Sequence, residues 1–186
     1  MRCSWGTREI GMENVIIQRQ FAPPLGEQGF DAMAREAMGC LDLYRAQWQE
    51  SFLSADGTRL VCLFGAPDAE SIRMMSRGDG ASEKRVWTGS VHNPADAGPA
   101  AVVVERSFDA PASMDELQAR EDAAASCLDL HRVTFVRSYF SADRMTMVCL
   151  YRAPDAESVR LAQQQAGMPV DRVWSCRHYT PDNIFG

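Results

Sequence analysis

Two stretches decide the fold: CLDLYR (Cys40–Arg45), which leads to APDAESIR (Ala66–Arg73), and CLDLHR (Cys127–Arg132), which leads to APDAESVR (Ala153–Arg160). The second lies 87 residues after the first. The same offset lays Arg19-x-Phe21 on Arg106-x-Phe108 and Arg85-Val86-Trp87 on Arg172-Val173-Trp174, with no gap between the anchors. A period this long, met twice, means a duplicated domain; a solenoid needs three or more short repeats. Each unit of roughly 80 residues buries a modest share of its surface alone, so the halves are expected to pack on each other.

The 186-residue chain is 46% hydrophobic and 24% charged, the balance of a soluble globular protein. A net charge of −6 with no Lys/Arg cluster argues against nucleic acid as a partner. No apolar run reaches the ~18 residues of a membrane span. The N-terminal MRCSWGTREIGM lacks the apolar core of a signal peptide, so a cytoplasmic location is expected, with the six cysteines as free thiols. The chain divides into a leader (1–12), a first repeat (13–92), a Pro/Gly-rich linker (93–100), a second repeat (101–180) and a tail (181–186).

Each half reads β-α-β-β-α-β. In the first, 15–21 is a short apolar strand ended by Pro23, Pro24 and Gly26. Apolar residues at helical spacing from Phe30 to Tyr44 predict a helix with one core face, which places Cys40, and Cys127 in the second copy, on helix one. Strands 47–53 and 58–64 meet at Asp56-Gly57, a hairpin pair. Asp68 is placed to cap the second helix, and 85–91 is the fourth strand. The second half repeats the plan, with Ser113 and Glu116 spaced as a capping box. Its hairpin carries Asp143-Arg144; arginine lacks glycine's ease at positive φ, which predicts a looser turn.

This order of elements is the ferredoxin-like split motif, whose open sheet face must be covered. The expected fold class is α+β: two tandem ferredoxin-like domains packed sheet to sheet as a pseudo-dimeric α+β barrel. The ordered set is Arg-x-Phe, Ser-x-x-Ser-x-Asp at the hairpin, Val-Cys-Leu on the next strand and Ala-Pro-Asp-Ala-Glu-Ser-x-Arg. Present twice, it resembles a family of small bacterial ferredoxin-like domains that includes nickel-binding proteins. The resemblance covers roughly 14–92 and 101–179. It implies single-domain chains that dimerise, so one chain here stands for a dimer, with further self-association left open. It also implies nickel held by histidines on the first strand and helices. The first strands here, VIIQRQF and VVVERSF, carry none, and the helices offer only His131, so no metal ligands and no cofactor are expected.

For a ligand, the strands are the informative part. Arg19 and Arg106 interrupt apolar strands, and Glu50 aligns with Arg137 at the repeat offset. Strand alternation gives Val15, Ile17, Arg19 and Phe21 one face, and puts Trp48, Phe52, Phe135 and Tyr139 on the face of Glu50 and Arg137. A charge beneath a helix is costly without a partner, so these charges are expected to line a wet cleft between the sheets. A small organic, anionic or carbonyl-bearing ligand suits such arginines; the alternative is an exposed ion pair of little consequence. Substituting Arg106 or Arg137 should then abolish binding and leave the melting temperature nearly unchanged. Cys62 and Cys149 are repeat equivalents on strand three, either small core residues or thiols facing the cleft. His92, His131 and His178 are scattered. No triad order, phosphate loop or zinc-protease motif occurs, so an enzyme resting on Arg or Cys is a secondary alternative, as is a metal-binding protein.

Overall fold

The computed structural model describes residues 11–92 and 99–185. Most of the expected leader and the core of the expected linker lie outside the described residues. The first half runs β1 (Glu13–Gln20), α1 (Gly26–Met38), β2 (Gln47–Ser54), β3 (Arg59–Ala66), α2 (Ala69–Met75) and β4 (Glu83–His92). The second runs β5 (Val102–Ser107), α3 (Met114–Ala123), α4 (Ala125–Leu130), β6 (Thr134–Ser141), β7 (Thr146–Arg152), α5 (Ala156–Gln165) and β8 (Arg172–Tyr179). A short α6 (Pro181–Phe185) stands where the sequence indicated only a tail. Among the described residues no helix is long and apolar enough to cross a membrane.

The strands close into a barrel in the order β1-β3-β2-β8-β5-β7-β6-β4. The halves join at two seams, β2 with β8 and β4 with β6, both antiparallel. The second seam depends on Gly89: a Cβ there would sit 2.1 Å from the Phe140 carbonyl oxygen. Each strand stands opposite its repeat equivalent, β1 across from β5 and β2 across from β6. The pseudo-twofold axis therefore runs along the barrel axis. Three cores follow from strand alternation. Ile16, Phe52, Leu63, Val103, Val148 and Leu150 fill the barrel, and a separate apolar layer lies beneath the helices of each half.

Local chemistry explains most boundaries. The Asp68 carboxylate accepts from Ser71 N at 2.7 Å, and Asp155 accepts from Ser158 N at 2.7 Å, so both helices begin where the sequence indicated. The two hairpins are alike, contrary to expectation. Asp143 accepts from the Ser141 hydroxyl and Met145 N as Asp56 does from Ser54 and Thr58 N, and Arg144 takes the left-handed φ of 61° without loosening the turn. Helix α1 stops at Met38, short of Tyr44, so Cys40 lies in the turn after it. Its counterpart is broken at Ala124, which leaves Cys127 on α4. Ser113 occupies the N-cap of α3 without its hydroxyl making the capping bond.

Two irregularities redirect side chains. Pairing of β2 with β3 shifts between Trp48 and Glu50, and pairing of β6 with β7 shifts between Phe135 and Arg137, the equivalent place in each half. One extra residue in a strand turns what precedes it to the opposite face.

Candidate ligand site at the barrel mouth

Val86 and Val173 pack in the layers under the helices, while Trp87 and Trp174 pack inside the barrel. Period-two alternation then turns Arg85 and Arg172 inward as well. The same rule, anchored on Val61 and Val148, turns Arg59 and Thr146 inward; anchored on Ile16 and Val103, it does so for Gln18 and Glu105. These residues meet at one end of the barrel around a cavity of about 190 Å³, bounded by both halves. Its inner wall is held by the tryptophans. Trp87 Nε1 donates to Gln18 Oε1 at 2.8 Å, and Trp174 Nε1 donates to Glu105 Oε1 at 3.0 Å.

The mouth departs from twofold symmetry in its charges. Arg172 approaches Glu105 Oε2 at 3.5 Å. Its equivalent Arg85 faces Gln18 instead, and neither Arg85 nor Arg59 forms a salt bridge with a described residue, although the Arg85 charge adds to the hydrogen bonds from Ser141 and Met145 N that hold the Asp143 carboxyl below its ordinary pKa. Where the first half has Arg59, the second has Thr146, which is 3% exposed and whose Oγ1 has no hydrogen-bond partner among the described residues. Glu83 stands at the exposed outer rim.

Deeper in the barrel, on the axis, is a polar cluster in which only Arg137 Nε lacks a partner among the described residues. Arg137 Nη1 donates to Glu50 Oε1 at 3.0 Å, the Tyr139 hydroxyl donates to the same oxygen, and His178 Nε2 lies 2.9 Å from Glu50 Oε2. The His178 ring stacks on Phe52 at 4.6 Å. Burial alone would raise the Glu50 pKa; the hydrogen bonds from His178 and Tyr139, with the charge of Arg137, outweigh it and hold the carboxyl below its ordinary value. Burial, with the Glu50 charge beside it, pushes the Tyr139 phenol well up.

Six of the residues singled out from sequence are turned away from the barrel interior. Arg19 and Arg106 border the mouth along their strands, but their guanidinium groups lie under the helices. Arg19 Nε pairs with Asp79 Oδ2 at 2.6 Å, and Lys84 Nζ meets Asp79 Oδ1 at 2.8 Å. Arg106, fully buried, donates to Pro169 O at 2.6 Å, Gln163 Oε1 at 2.7 Å and Tyr151 OH at 3.1 Å. The cost of a charge beneath a helix is met by these partners, so it does not force the arginines into the cleft. Cys62 and Cys149 accept from those arginines on the helix side, and burial pushes both thiols up. They are therefore not thiols facing the barrel interior. Trp48 and Phe135 lie on the helix side because the bulges separate them from Glu50 and Arg137. Glu50, Phe52, Arg137 and Tyr139 do face inward.

The mouth residues were within reach of the sequence. Arg85-Val86-Trp87 and its copy are among the repeat's anchors, and two tryptophans on barrel strands place the arginines two residues earlier on their own face.

The chain matches the sequence model of the family described as nickel responsive protein SCO4226-like, over residues 16–88 and again over 103–175. The chain belongs to the SCO4226-like family. One solved SCO4226-like relative, SCO4226 from Streptomyces coelicolor A3(2), is 22% identical over 40% of this chain and 91% of its own, with a TM-score of 0.36. Longer matches are found among chlorite dismutase structures. A variant from Candidatus Nitrospira defluvii covers 94% of each chain at 13% identity and TM-score 0.52. A putative chlorite dismutase, TA0507, covers 94% of this chain and 97% of its own at 9% identity and TM-score 0.51. These two establish likeness of fold. No curated protein matches the chain.

Nickel, named in the SCO4226-like description, calls for clustered imidazole, thiolate or carboxylate donors. Among the described residues no three His, Cys, Asp or Glu side chains come together to hold an ion. His92 bonds Ser90 at 2.8 Å, His131 lies 3.3 Å from Gln165, and His178 is committed to Glu50. The donors described here do not fit a nickel centre.

Proposed function

We propose that this chain binds a small organic anion in the mouth of its barrel, between the halves 13–92 and 101–180. The observation that carries this reading is the inward-facing set Arg59, Arg85 and Arg172 around one cavity, in a protein whose net charge is −6. Two of the three are repeat equivalents. Arginine's planar fork matches a carboxylate with paired hydrogen bonds; Arg59 is half-buried, and Arg85 and Arg172 are exposed at the opening. The deeper Glu50, Arg137 and Tyr139 are bonded to one another and serve as the base of the barrel rather than as the primary contacts.

The test is titration calorimetry of the purified chain with acetate, 4-hydroxybutyrate and inorganic phosphate, against the Arg85→Met variant. At least one carboxylate should bind, and Arg85→Met should weaken it by about 10-fold or more, the worth of one charged hydrogen bond. Carboxylate binding that survives both Arg85→Met and Arg172→Met, or no binding of any of the three anions, overturns the reading.

A further inference from the structure

The pseudo-twofold predicts that the two walls of the mouth should be equivalent, and they are not. On the first-half wall, β4-β1-β3, Arg85 stands opposite Gln18 and Arg59 opposite Gln20, with no carboxylate in salt-bridge range of either arginine among the described residues. On the second-half wall, β8-β5-β7, Gln18 is replaced by Glu105 and Arg59 by Thr146. Glu105 pairs with Arg172, and Asp171 also borders the cavity, so that wall has no uncompensated arginine. It also keeps acceptor capacity. A carboxylate has about four lone-pair sites, and Glu105 uses one oxygen for Trp174 and the other for Arg172. On the neighbouring strand, opposite Ser107, stands Thr146, 3% exposed and with a hydroxyl that has no partner among the described residues. A buried hydroxyl left unbonded is costly, so this wall is built to meet something polar.

From this asymmetry we infer that the ligand is a carboxylate carrying a hydrogen-bond donor, hydroxyl or ammonium, at its other end, and that it binds in one orientation. Its carboxylate lies against Arg59 and Arg85; its donor lies against Glu105 and Thr146. A second carboxylate is disfavoured there because it would meet Glu105 across a short distance in a partly desolvated site. Glu83, at the exposed outer rim, is screened by solvent and weakens the first wall's pull only slightly. The inference rests on the anion-binding reading and adds the polarity of the site to it.

Four probes of equal chain length separate the two ideas: butyrate, succinate, 4-hydroxybutyrate and γ-aminobutyrate, titrated calorimetrically into the full chain. The expected order places 4-hydroxybutyrate and γ-aminobutyrate at least tenfold tighter than both butyrate and succinate. Glu105→Gln should cut γ-aminobutyrate binding about tenfold and raise that of succinate; its amide oxygen still accepts from Trp174, and the melting temperature checks that the fold is intact. Thr146→Val should weaken 4-hydroxybutyrate and leave butyrate unchanged. If succinate binds wild-type protein as tightly as the donor-bearing acids, and Arg85→Met abolishes it, the site stands and its polarity is refuted. If no probe binds, both fall.

Discussion

Glu50 and Arg59 are both charged, both inward-facing and nine residues apart, yet they belong to different kinds of place. At the waist of the barrel every oxygen of Glu50 is used, by Arg137, Tyr139 and His178. At the mouth, Arg59 and Arg85 form no salt bridge with a described residue, and Thr146 Oγ1 has no hydrogen-bond partner among the described residues. Each place leaves one buried atom over, Arg137 Nε at the waist and Thr146 Oγ1 at the mouth. At the waist, however, the charges of Glu50 and Arg137 are paired with each other, whereas at the mouth Arg59 and Arg85 have no paired carboxylate among the described residues. Conspicuous charge alone marks neither. The pairing of charges tells them apart.

The sharpest way to break the contrast is at the waist. Arg137→Met strips a buried carboxylate of its full counter-charge and should cost about 3 kcal/mol in urea unfolding; the value sits at the low end for such losses because Tyr139 and His178 remain. The fully buried Arg106 should behave similarly when replaced by Met, against the sequence-based expectation that such changes leave melting untouched. Tyr139→Phe removes one donor to Glu50 and should cost somewhat less, about 1–3 kcal/mol. A melting temperature unchanged by either waist substitution would mean that the cluster does not brace the fold.

Acid probes the same carboxylate. Its pKa is lower in the folded chain than in the unfolded one, so its stabilisation is complete above the ordinary glutamate value of about 4.3 and is lost as pH falls through the folded value. Glu50→Gln should therefore destabilise the protein at pH 7 and much less at pH 3, read from urea midpoints at both. An equal penalty at the two pH values would assign the effect to packing. The smallest expected change is at the mouth: Arg59→Met should move stability by no more than about 0.5 kcal/mol, as for other substitutions outside the packed interior. Its carboxylate binding should fall about tenfold. A stability loss matching that of Arg137→Met would erase the distinction between the two regions.

Much of this architecture is legible in the chain's period. The ungapped offset, the Asp-led hairpins and the Ala-Pro-Asp-Ala-Glu helix starts are local signals, and each has a local physical cause. The facing of side chains is legible only until alternation is interrupted. The extra residues near Gln49 and Val136 separate Trp48 from Glu50 and Phe135 from Arg137, and a bulge has no compositional mark here. The burial of Arg19 was hidden for another reason: its partner Asp79 lies 60 residues away, in the loop after α2, and nothing near Arg19 announces it. Glu50 and Arg137 were visible as an aligned pair of opposite sign. That they touch required the closure of the barrel about its own dyad.

That contact has a consequence for ancestry and assembly. Glu50 and Arg137 are 87 residues apart, one full repeat, and they meet at 3.0 Å on the axis that relates the halves. In a symmetric dimer of separate chains, one residue type must occupy both positions. Two copies of the first half would bring glutamate against glutamate, and two copies of the second would bring arginine against arginine, each a like-charge conflict in a buried place. Only a first half beside a second half neutralises the axis. One chain that carries both halves lets the two positions differ, and that difference makes each half a poor partner for its own kind.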